Sequence, residues 1–155
     1  MTTAQDIFRR ELLDIFDETF ETQHGIYLDK GTSLFTTLDT ITADEASRPV
    51  GGTCASLAAQ VAHVTFYLEV LERIMHGQQV GKLDWGEIWR TVQSVSPDEW
   101  LALRQQLAET YRRIDAMLRG HESWDDENLI GGALAITVHT AYHLGEIRQA
   151  LCTLQ

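Results

Sequence analysis

Proline is nearly missing from this 155-residue sequence, with only Pro49 and Pro97 present, so long stretches are free of the residue that breaks helices. Basic residues are scarce too: 12 Lys and Arg stand against 23 Asp and Glu, a formal net charge of −11. No basic stripe results, which excludes a nucleic-acid partner and disfavours adsorption to an anionic membrane. The two cysteines, Cys54 and Cys152, lie far apart and form no CxxC. They read as reduced thiols in a cytoplasmic protein, not as a disulfide framework. No run approaches the roughly 20 apolar residues of a membrane span, and the first residues, MTTAQDIFRR, lack the apolar region of a secretion signal. A single soluble, cytoplasmic domain over residues 1–155 is expected, its 44% hydrophobic content enough for one core.

What is present is helical spacing. Gln5–Glu21 has one apolar face of Phe8, Leu12, Ile15, Phe16 and Phe20. Its other face, with Asp6, Glu11, Asp14, Asp17, Glu18 and Glu21, is expected to be solvated, and His24-Gly25 to end the helix. Ile26–Ile41 is predicted as a second helix, with Leu34, Phe35, Leu38 and Ile41 inward and Gly31 weakening it. Thr42 and Glu45 form a capping box for a short turn. Thr53 is the expected N-cap of a long helix, Cys54–His76, whose two adjacent apolar stripes predict extensive burial. Gln60, His63 and Tyr67 lie on the second stripe. Gly77–Val95 reads as a crossover carrying Trp85 and Trp89 over one end of the helices. Ser96-Pro97-Asp98-Glu99 starts a helix running to about Arg119 and closed by Gly120; the last helix starts near Glu127.

The last helix carries the anomaly. His139 and His143, four residues apart, fall on the stripe Ile136, His139, Thr140, His143, Ile147, Ala150, Leu154. On a helix both rings leave one face, roughly 6 Å apart at Cβ, within reach of one ion. Burying two imidazoles without partners is costly. With His63 they fit a three-imidazole site that keeps coordination positions open. A lone core histidine bonded to backbone is the competing explanation for His63. Thr140 follows His139 where a zincin has Glu, so that route to peptide hydrolysis is excluded, and the paired ExxH motifs of di-iron bundles are missing. Glu146 shares the histidine face and is the candidate catalytic residue, as a general base acting on water at the metal. It is equally a candidate fourth ligand or a partner of one of the ligands, or simply a partner of Arg148 or another surface cation. Tyr67 is placed to line the same cavity; Tyr142, Tyr27 and Trp85 are further candidates for that lining, with core packing the favoured role for each. His24, His76 and His121 fall at helix ends. Arg148, Lys30 and Arg48 are candidate anion receivers.

From ITADEASRPVGGTCASLAAQVAHVTFYLEVL, through KLDWGEIW, to VHTAYHLGEIRQAL, the sequence resembles the DinB-like superfamily (DinB/YfiT-like metalloenzymes) from about Ile26 onward. His63, His139 and His143 fall on its three histidine positions. The resemblance implies a four-helix bundle with a long crossover between its second and third helices (residues 26–155). Residues 5–21 would form an extra N-terminal helix, packed on the bundle or on a second subunit. It also implies a divalent ion, nickel or zinc, on the three histidines, a homodimer, and a small-molecule substrate. Related branches use low-molecular-weight thiols. Two functions remain open: a metal-dependent enzyme performing thiol transfer or metal-assisted hydrolysis, and a non-enzymatic, stress-related binding or dimerisation module with a structural or vestigial metal. A purely structural bundle with core histidines is the third possibility.

Overall fold

The computed structural model describes residues 2–155. Helices make up 67% of the chain and no strand occurs among the described residues, so the class is all-α. The helices are α1 (Ala4–Phe20), α2 (Leu34–Leu38), α3 (Ala43–Ser47), α4 (Leu57–Met75), α5 (Glu87–Thr91), α6 (Pro97–Gly120) and α7 (Glu127–Leu154). None is long and apolar enough to cross a membrane.

The four long helices share one core. α4 packs on both α6 and α7, and α1 packs on α7 and α6. The helix set apart in the sequence as an extra one thus contributes directly to that core. Phe16 and Phe20 of α1 are fully buried and stack on Tyr111 of α6, with ring centroids 5.3 and 4.7 Å apart. Gly132 of α7 lies against Met75 of α4, where a Cβ would collide with the Met75 Cγ and Sδ. Gly132→Ala is expected to lower stability by roughly 1–3 kcal/mol, because Met75 cannot withdraw its inner methylene without repacking. Chemical denaturation measures this.

Helix ends follow short side-chain signals. Thr42 with Glu45, and Ser96 with Glu99 behind Pro97, form the expected capping boxes. Asp126 caps α7 by accepting from the N–H groups of Asn128 and Leu129. α4 begins later than expected. The Cys54 N–H donates to the Gly51 carbonyl, closing a turn over 51–54. The N-cap is therefore Ser56, whose Oγ accepts from the Ala59 N–H at 3.2 Å, and not Thr53.

Two further expectations fail around Glu18. The acidic face of α1 is not wholly solvated, since Glu18 is fully buried. Its carboxylate accepts from the backbone N–H groups of His24, Ile26, Tyr27 and Leu28, the closest contacts being 3.0, 2.9, 2.9 and 2.6 Å. Ile26–Ile41 is not a helix; only Leu34–Leu38 is, because the chain turns where the Thr32 N–H donates to the Asp29 carbonyl and Gly31 takes φ 76°. α1 itself stops at Phe20. Gly25 does not end it but lies within the wrap, at φ 77°, a left-handed conformation that costs glycine little and lets the amides on either side face one carboxylate.

The connection from α4 to α6 is the long crossover read from the sequence, with α5 as its one helical turn. Its far end is pinned where the Ser47 Oγ accepts from the Val95 N–H at 2.9 Å. It lays Trp85 against Phe66 and Trp89 against His63 of α4.

Candidate metal centre

α4 contributes His63, and α7 contributes His139 and His143 one turn apart. The α4–α7 packing brings one ring nitrogen of each within 4.8 Å of the others. Nε2 of His63 lies 3.1 Å from Nε2 of His139. With bonds of about 2.0–2.1 Å, a tetrahedral ion holds its ligand nitrogens about 3.3–3.4 Å apart, so this separation already suits two ligands of one ion. His63 and His143 are buried and His139 is half-buried.

Gln60 and Glu146 determine which nitrogen of His143 carries the proton. Glu146 Oε2 lies 3.2 Å from Gln60 Nε2 and 3.0 Å from His143 Nδ1. A carboxylate accepts and does not donate, so the Gln60 group facing it is the NH2. The Gln60 carbonyl Oε1 then faces His143 Nδ1, at 2.5 Å. Two acceptors on Nδ1 require a proton there, which leaves the Nε2 lone pair free for a ligand bond. Glu146 therefore sits on the outer nitrogen of His143, and the group of residues able to share an ion consists of the three histidines. Nδ1 of His63 and Nδ1 of His139 are buried with no hydrogen-bond partner.

Burial favours the neutral, metal-binding form of all three rings. It lowers the pKa of His139 to about 4, with His143 and His63 adding to the effect. It also lowers that of His63, with a contribution from His143. His143 is lowered by burial, while Glu146 opposes the shift. Three neutral imidazoles with two Nε2 atoms edge to edge form a donor set that fits a borderline divalent ion.

Aromatic rings surround the cluster. Tyr67 stacks on His139 with centroids 3.7 Å apart and planes 8° apart, and Trp89 covers His63 at 4.4 Å. Tyr142 meets His143 edge-on at 5.2 Å. Tyr142, Trp85 and Tyr27, read as core residues, are all exposed. Tyr27 pairs its hydroxyl with Thr19 Oγ1 at 2.6 Å. His76 and His121 cap helix ends, and His24 pairs with Asp17. Two cavities flank the cluster and share Cys54 and Ala55. One of about 570 Å³ is bordered by Trp89, and one of about 520 Å³ by Gln60, Glu146 and Tyr142.

The role of Gln60 was not read from the sequence, and Trp89, expected over one end of the helices, was not tied to His63. Gln60 had a signal, an amide one turn before a histidine on the same buried stripe. For Trp89 the crossover gave the end of the helices but not the neighbour, because it has no register to read. Gln60→Leu is expected to weaken zinc or nickel binding about 10–100-fold while the helices stay intact, as measured by calorimetric titration.

No family model, no curated protein and no solved structure matches the chain.

Proposed function

We propose that the protein is a divalent-metal-dependent enzyme acting on a small molecule, with His63, His139 and His143 holding the ion. One observation carries this reading: two helices distant in sequence bring three imidazoles to one point, and the proton on the third is fixed so that its inner nitrogen is free. When bound, the ion supplies Lewis-acid activation of a thiol or of water, which suits thiol transfer or hydrolysis. The chain's own groups do the rest. Gln60 and Glu146 orient His143 through Nδ1. Trp89 and Tyr67 shield His63 and His139 from solvent. Glu146 faces Gln60 and His143 through Oε2 and also borders the adjoining cavity, where it is placed to take a proton from a substrate.

The resemblance to the DinB-like superfamily supports the same reading. It implies a four-helix bundle, which we read as α1, α4, α6 and α7 in place of residues 26–155, with nickel or zinc as the ion and a homodimer; the reduced-thiol reading of Cys54 and Cys152 supports a cytoplasmic setting. A second reading, a binding or dimerisation module with a structural metal, is favoured by one observation: no histidine lines either cavity. Elemental analysis of the purified protein followed by a screen of low-molecular-weight thiols against electrophiles separates the two. Metal with turnover supports the enzyme, metal without turnover supports the module, and a chain that takes up no added nickel or zinc ends both.

A further inference from the structure

The 520 Å³ cavity beside the histidines is lined by apolar groups of α4, α7 and the preceding loop, notably Val50, Leu57 and Ala150, with Tyr142 at its rim. The one charged residue in its lining is Glu146. The other cavity has no charged lining residue. The three cations suggested by the sequence as anion receivers are elsewhere. Arg148 donates to Thr37 Oγ1, Arg48 to the backbone carbonyl of Asp44, and Lys30 lies in the loop after Glu18's amide wrap. An anion entering here would meet a carboxylate with no compensating base, inside a chain of net charge −11. The opposite charge would meet a carboxylate next to an exposed aromatic ring, the pairing that recognises ammonium groups. Tyr142 and Glu146 are one helical turn apart and border the same cavity.

We propose that this cavity takes a small apolar amine in its protonated form, with its hydrocarbon body along Val50, Leu57 and Ala150 and its ammonium group between the Glu146 carboxylate and the Tyr142 ring. Binding rests on the apolar lining and on Glu146. Only its meaning as substrate recognition rests on the metal-enzyme reading. The closest analogues of an anionic thiol substrate are correspondingly disfavoured, so a thiol used by this site is neutral or amine-bearing.

Three probes of one shape test this: benzylamine, benzyl alcohol and benzoate, titrated into the full-length protein with and without bound zinc. Binding is followed by backbone NMR shifts at Ala55 and Ala150. Benzylamine is expected to bind at least about tenfold more tightly than benzoate, with benzyl alcohol between them. Glu146→Gln is expected to bring benzylamine and benzyl alcohol together. Equal or tighter binding of benzoate, or no shift with any probe, overturns the proposal, as does an amine preference unchanged in Glu146→Gln. Loss of zinc binding with the amine preference intact would instead remove the metal-enzyme reading and leave this one standing.

Discussion

Metal-free protein titrated with nickel or zinc is expected to melt roughly 5–10 °C higher once the free ion exceeds its Kd about a hundredfold. The rise follows from linkage: an ion held by His63 of α4 and by His139 and His143 of α7 binds only where those helices are docked. His139→Ala removes one of three ligands and is expected to cost more than the roughly 10–100-fold typical of losing a mere partner of a ligand, which abolishes the shift. The same variant should fold when metal-free, because it deletes a desolvated ring whose Nδ1 has no hydrogen-bond partner. Differential scanning fluorimetry with a chelator control reads both effects. A variant that keeps the full metal-induced shift would mean the ion sits elsewhere.

Glu18→Ala is expected to destabilise the fold by roughly 2–4 kcal/mol, a large effect for a residue on an acidic helix face. It strands four inward-facing backbone N–H groups at once, those of His24, Ile26, Tyr27 and Leu28. The pH dependence has a definite sign. Burial alone would raise the Glu18 pKa, but the backbone donors outweigh it and bring it from 4.5 to about 2. The unfolded chain therefore binds more protons in that interval, so this contribution is complete above about pH 4.5 and is lost as pH falls toward about 2. His139 gives a separate limb at higher pH. Its pKa falls from 6.5 unfolded to about 4 folded, so metal-free stability declines as pH drops from about 6.5 to about 4. Denaturant melts across pH 2–7 should show both limbs, with Glu18→Gln flattening only the lower one. A lower limb of unchanged depth in that variant would refute the assignment.

The two findings differ in how far they could be seen in advance. The histidine stripe of α7 was legible because a helix converts spacing into direction, and two imidazoles in a row of Ile, Ala and Leu stand out. The capping boxes at Thr42 and Ser96 were legible because their donors and acceptors lie within three residues. Glu18 was not. On spacing alone it is one more acid on an acidic face, and its burial comes from the following loop folding back over it. The false helix at Ile26–Ile41 has real apolar spacing from Leu34 onward, but the turn over 29–32, with Gly31 left-handed, cuts it short. Gln60 and Trp89 acquire their roles only when α4, α7 and the crossover meet, through contacts that no local pattern encodes.

His63 and His139 stand 76 positions apart along the chain, yet their Nε2 atoms touch. An ion gripping both would behave as a reversible staple, closing a loop that takes in the whole crossover and α6. Opening that loop would then require releasing the ion first. Resistance to proteolysis and the rate of unfolding would track the supply of metal, independently of any catalysis at the site.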